Sequence, residues 1–110
     1  MSIIKHTLKD RKIISRLFVK GKKVKISPLL FIFLNNENES VLFSVSKKNI
    51  PKAVDRNKIK RQMRAIFLNN KRLLSRTKTP KAMAFVYYEN KVVAYPKLLT
   101  SMTTILKEIN

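Results

Sequence analysis

The 110-residue chain has no cysteine, no tryptophan, one glycine, one histidine and only six acidic residues. Each shortage removes a class of chemistry. Without cysteine there are no disulfides and no thiolate metal sites, which suits a reducing compartment. With Gly21 as the only glycine, a glycine-rich phosphate loop is excluded. Six scattered acids and one histidine, His6, supply no paired carboxylates, no His–carboxylate metal set and no nucleophile–base pair. An enzyme that works by its own side chains is therefore not expected. No apolar run is long enough to span a bilayer, and Met1 to Asp10 lacks the apolar core of a signal peptide. A cytoplasmic protein without membrane association is expected.

What remains is charge of one sign and enough apolar residues to bury. The net charge is +19, from 25 Lys and Arg against six acids. Such a field opposes compaction but attracts polyanions and speeds their capture. Nucleic acid fits that field best, and an anionic membrane surface fits it less well. Hydrophobic residues make up 45% of the chain, enough for a core at this length. No repeat or low-complexity tract divides the sequence. We expect one RNA-binding domain over residues 1–110, flexible at 1–7.

The pattern along the chain gives the elements. Ile13, Ile14, Leu17 and Phe18 follow helical spacing within Lys9 to Lys20. Gly21 stands where a left-handed helix end is expected. Lys22 to Ile26 alternates like an edge strand, its lysines discouraging self-pairing. Leu29 to Leu34 is short and wholly apolar, as in a strand covered on both faces. The polar stretch Asn35 to Ser40 predicts a turn, with the next strand returning antiparallel over Val41 to Lys47. In that strand Val41, Phe43 and Val45 face one way. Leu42, Ser44 and Ser46 face the other, and the small serines leave room for a ligand or a helix. A middle helix running to Asn69–Leu74, a strand over Lys81 to Tyr88, and a last amphipathic helix after Pro96 complete the chain. The order αβββαβα predicts an α+β fold with three helices on a small, mixed four-stranded sheet.

The middle helix carries the strongest signal. Five of the nine residues from Arg56 to Arg64 are cationic, and none is acidic. At about 100° per residue, Ile59, Met63, Ile66 and Phe67 share one face. Asn57, Lys60, Arg61 and Arg64 gather on a face turned well away. An ordinary surface helix would mix its signs in i,i+4 pairs. A one-signed row is easier to explain if a polyanion neutralises it. Asp55 stands ahead of the row and can cap the helix or complement its dipole.

The cluster Arg56-Asn57-Lys58-Ile59-Lys60-Arg61, with Arg64 beyond it, resembles the Arg-Asn-Arg and Lys-Arg signature of the bacterial ribonuclease P protein component. Upstream, Phe43-Ser44-Val45-Ser46-Lys47-Lys48 resembles that family's strand and lysine stretch. Leu17-Phe18 followed by Gly21 resembles its first helix and exit. The resemblance covers roughly Lys9 to Asn110. It implies a ribonuclease P protein-like (ribosomal protein S5 domain 2-like) fold with a left-handed βαβ crossover, a feature that periodicity cannot reveal. It also implies a small subunit that joins a catalytic RNA, with Mg2+ acting at that RNA. The reaction is removal of the 5′ leader from precursor tRNA. The protein holds the leader between its first helix and the sheet, and no obligate protein partner is expected. Two departures from the signature stand out. Lys58 replaces an arginine and so keeps the charge without the planar fork. Ile14 stands where an aromatic is frequent, leaving Phe18 to stack a base.

The RNA-binding set is thus Lys47, Lys48, Arg56, Asn57, Lys58, Lys60, Arg61 and Arg64, with Ile14 and Phe18 as cleft residues. Plainer readings accompany several of them. Arg56 lies near the apolar edge of its helix and can pin the strand connection instead. Asn57 can cap a turn, Phe18 can be core, and Lys47 and Lys48 can be merely solvated. A ribosomal or other structural RNA-binding protein shares the charge but needs no leader cleft. A DNA-binding regulator would place a helix just before the basic one, where this sequence has a strand and Pro51.

Overall fold

The computed structural model describes residues 11–35, 40–70 and 81–108. Seven elements follow in the order α1 (Arg11–Lys20), β1 (Lys22–Ile26), β2 (Leu29–Asn35), β3 (Ser40–Val45), α2 (Ala53–Asn69), β4 (Lys81–Tyr87) and α3 (Tyr95–Glu108). This is the expected αβββαβα order on a mixed sheet of four strands. The expectations for residues 1–10, for most of the polar 35–40 turn, for residues 71–74 at the end of the middle helix and for Ile109 lie outside the described residues.

The sheet order is β1-β2-β4-β3. β2 pairs antiparallel with both β1 and β4, while β3 pairs parallel with β4. The strand after the polar turn therefore returns antiparallel to its predecessor, as expected, but does not pair with it. β3 does run opposite to β2, but β4 lies between them. The reason lies in β4 itself. Ala82 and Ala84 are fully buried on one of its faces, and Met83, Phe85 and Tyr87 on the other. A strand this apolar on both faces is stable only in the middle of a covered sheet.

The two faces carry different cover. α2 and α3 bring Ile59, Met63, Ile66, Phe67, Leu98, Met102, Ile105 and Leu106 onto the face shared by Phe31, Phe43 and Phe85. Phe85 is the hub of that core. Its ring centroid lies 4.6 Å from Phe31, 5.6 Å from Phe43 and 5.9 Å from Phe67. On the opposite face α1 lies over β2 and β4, with Leu17 buried against Ile32, Ala82 and Ala84.

One local expectation is corrected, and a second is narrowed to one of its two alternatives. Gly21 does not adopt a positive φ. Its missing side chain serves close approach instead: a Cβ there would collide with the Leu17 carbonyl oxygen and lie 2.6 Å from the Ile32 side chain. Asp55 is not the cap of α2. The helix begins earlier, with Lys52 at the N-cap and no side-chain cap bond, so Asp55 sits inside the first turn and complements the dipole.

Loops are tied to the strand ends by specific bonds. Tyr87 donates its hydroxyl to the Lys91 carbonyl at 2.6 Å and accepts from the Val93 amide at 3.0 Å, fixing the passage into α3. Burial raises the pKa of that phenol above its ordinary value. Ser101 donates to the Ser27 carbonyl at 2.7 Å, joining α3 to the β1–β2 turn.

Gly21→Ala tests the close approach of α1 to the sheet. The added carbon must push α1 off β2, costing about 1–3 kcal/mol as overpacking does. Urea unfolding should show that loss, and an unchanged midpoint would contradict it.

Candidate nucleic-acid interface

The basic face is built from the apolar one. Ile59, Met63, Ile66 and Phe67 are all buried, which fixes the rotation of α2 about its axis. Asn57, Lys58, Lys60, Arg61 and Arg64 are consequently exposed. Among the described residues none of Lys58, Lys60, Arg61 and Arg64 is spent on a carboxylate. Asp55 and Glu108 are the acids of the described helices, and neither interrupts the row.

The flanks of α2 differ. The Arg64 guanidinium carbon lies 5.8 Å from the centroid of the Phe43 ring on β3. Lys60 is one turn earlier on the same flank, so Lys60 and Arg64 overhang the β3 edge of the sheet. Lys58 stands on the other flank, away from that edge. The row thus has a compact part (Lys60, Arg61 and Arg64, with Asn57 beside them) and an outlier in Lys58.

Arg56 is placed differently again. It is half-buried, and its Nη1 donates to the Ile50 carbonyl at 3.0 Å and the Pro51 carbonyl at 2.7 Å. These bonds fasten the start of α2 to the connection that precedes it, the structural role open to it in the sequence. Asn49 fastens the same connection from the other side, donating Nδ2 to the Tyr88 carbonyl at 2.9 Å. Between these anchors Lys47 and Lys48 are exposed in a turn just past β3, closed by the Ile50 amide on the Ser46 carbonyl at 2.9 Å. The strand ends at Val45 rather than Lys47 because that turn takes the backbone out of the ladder. α2 runs back from the end of β3, so the turn lysines and Lys60 lie toward the same end of the sheet.

The opposite sheet face holds the cleft residues. Ile14 and Phe18 are one turn apart on one flank of α1. Ile14 is half-buried in the α1 core, while Phe18 keeps 39% of its surface exposed. α1 covers β2 and β4, and Leu42 and Ser44 on β3, with Ser46 just past its end, remain only half-buried. The half-exposed Phe18 ring offers a face on which a base can stack. Among the described residues no three His, Asp or Glu side chains gather into a metal-ligand set. No described helix is long and apolar enough to cross a membrane.

The two kinds of arginine should separate by experiment. Arg61→Ala and Arg64→Ala should leave stability within about 0.5 kcal/mol and weaken RNA binding. Removing one phosphate contact should lower the log–log salt slope by about 0.7–0.9. Arg56→Ala should instead cost about 1.5–3 kcal/mol of stability, the range for charged hydrogen bonds. Denaturation and RNA titration in parallel check this; a destabilised Arg61→Ala with an unchanged salt slope would contradict it.

Comparison with known proteins agrees with this geometry. Residues 4–110 match the family described as Ribonuclease P. The chain is 39% identical over 82 residues to the ribonuclease P protein component of Chlorobium phaeobacteroides, covering 66% of this chain and 56% of that protein. It is 41% identical over 71 residues to that of Chlorobaculum tepidum, covering 57% of this chain and 46% of the relative. The chain thus spans about half the length of these relatives. Among solved structures, the Staphylococcus aureus RNase P protein superposes with a TM-score of 0.77 at 25% identity, covering 96% of this chain and 95% of its own. The Thermotoga maritima RNase P protein gives 0.80 at 22% identity, with 96% and 99% covered, and shows the shared fold. By sequence and by fold, the chain belongs to the ribonuclease P protein family.

Proposed function

We propose that this protein is the basic subunit of ribonuclease P. It joins a catalytic RNA and assists removal of the 5′ leader from precursor tRNA. The observation that carries the reading is the exposed, one-signed row Lys60, Arg61 and Arg64 on α2, free of described carboxylates and backed by a buried apolar face. That row meets the catalytic RNA, and Lys47 and Lys48 extend it past the end of β3. The leader lies along α1 on the other sheet face, with Phe18 offering a stacking surface and Ile14 an apolar wall. Asn57 and Lys58 add contacts at the margins of the row, and Arg56 holds the row in place. One protein unit over residues 1–110 suffices for both contacts, and the cytoplasm, where tRNA is matured, is its place of work.

Hydrolysis belongs to the RNA in this reading. Mg2+ acts at the RNA in this reading. The protein's task is electrostatic. Two polyanions must approach one another, and cations placed between them lower that repulsion. Part of the work otherwise left to divalent cations is thereby done by side chains.

Reconstitution tests the reading. With a bacterial ribonuclease P RNA and precursor tRNA at low Mg2+, the protein should stimulate 5′ cleavage. No stimulation would remove the assignment. Phe18→Ala should weaken affinity for precursor tRNA by about 1–3 kcal/mol for each base that no longer stacks. Affinity for mature tRNA, which has no leader, should not change.

A further inference from the structure

The sheet has two edge strands, β1 and β3, and their edges differ. β1 exposes Lys22, Lys23 and Lys25, a guard against pairing with another chain. β3 and the residue after it, Ser40 to Ser46, carry no charged side chain. Val41, Phe43 and Val45 are buried in the core that α2 covers, and Leu42 and Ser44 on the other sheet face are only half-buried. Among the described residues no strand pairs with the outer edge of β3. That edge therefore presents unpaired backbone N–H and C=O groups.

Cations stand around this edge rather than on it. The Arg64 guanidinium lies 5.8 Å from the centroid of the Phe43 ring, and Lys60 overhangs the same strand one turn earlier. Lys47 and Lys48 are exposed just past its end. Along the helix axis Lys60 and Arg64 are about 6 Å apart, at 1.5 Å per residue. Alternate residues of a strand, which share one face, are about 6.6 Å apart. A strand added outside β3 would therefore set carboxylates at every second residue against Lys60 and Arg64. Its other side chains would lie beside Leu42 and Ser44, on the sheet face where α1 covers β2 and β4.

Three occupants compete for such an edge. A second copy of this chain would bring a net charge of +19 against another of +19. A nucleic-acid strand offers acceptor oxygens to the N–H groups but no regular row of donors to the carbonyls. An acidic peptide satisfies both the ladder and the charge. We propose that β3 is a docking edge for an extended acidic peptide, which joins the sheet as a further strand with alternate carboxylates facing Lys60 and Arg64. Where α2 binds RNA, the peptide competes for those two cations. The docking itself needs only the edge and the cations, so failure of the 5′ cleavage assay would leave it standing.

Backbone amide exchange in the whole isotope-labelled chain tests this with a peptide of 6 residues, the length of β3, alternating Glu with Val. The same peptide N-methylated at every residue keeps the charge and has no ladder donor. The first should slow exchange at alternate amides of β3 and bind about tenfold more tightly than the second. K60Q/R64Q, at exposed positions and checked for folding by circular dichroism, should bind the first several-fold more weakly. Equal affinity of the two peptides, or slowed exchange away from β3 alone, would overturn the proposal. Slowing that rises with protein concentration in the absence of peptide would give the edge to a second copy. Slowing by a single-stranded RNA but not by the peptide would give it to RNA, and either result also overturns the proposal.

Discussion

The packing of the Phe67 ring edge-on against Phe43 and Phe85 is the contact on which the rest of this protein depends. Phe85 comes from the central strand, Phe43 from the edge strand and Phe67 from α2. Together they fix α2 against the sheet at one rotation. Burying an aromatic or aliphatic side chain contributes about 1.5–3 kcal/mol. Holding like charges on neighbouring helical turns costs roughly 0.2–0.5 kcal/mol per pair. Four buried side chains on α2 therefore outweigh the repulsion among Lys58, Lys60, Arg61 and Arg64 on its other side. The helix can stay folded while presenting a face that would otherwise push itself apart.

That balance links the fold to function. A net charge of +19 is a standing electrostatic cost in the free protein. RNA phosphates reverse its sign, because each contact releases condensed counterions. The loop anchors matter for the same reason. Arg56 on the carbonyls of Ile50 and Pro51, and Asn49 on that of Tyr88, hold Lys47 and Lys48 toward the end of the sheet where α2 begins. The backbone that carries these cations is thus positioned before any partner arrives, which leaves the ordering of the side chains to binding.

Much of this was legible in the sequence. The apolar spacing of Ile59, Met63, Ile66 and Phe67 is enough to place the basic residues on the opposite face. The alternation Val41, Phe43, Val45 against Leu42, Ser44, Ser46 sorts β3 between two sheet faces. What stayed hidden depends on contacts distant in the chain. A polar turn before β3 says nothing about β4, whose small alanines let α1 approach and so claim the centre of the sheet. Gly21 reads as a helix terminator, but its role comes from Ile32 and Phe33 across the ladder. Arg56 matches the basic signature as well as its neighbours do. Its place near the apolar edge of the helix leaves a pinning role open, and the carbonyls of Ile50 and Pro51 decide for it.

The absence of native cysteine makes the central claim directly measurable. A single cysteine at position 61 (Arg61→Cys) or at position 104 on α3 (Thr104→Cys) can carry an iron chelate that cuts nearby RNA by hydroxyl radicals. Position 61 lies on the cationic face of α2, whereas Thr104 is exposed on α3. If α2 presents its cations to the catalytic RNA, the label at 61 cuts a defined set of nucleotides and the label at 104 cuts few or none. Strong cutting from 104 with none from 61 would place the RNA over α3 rather than over the cationic face of α2 and contradict the account.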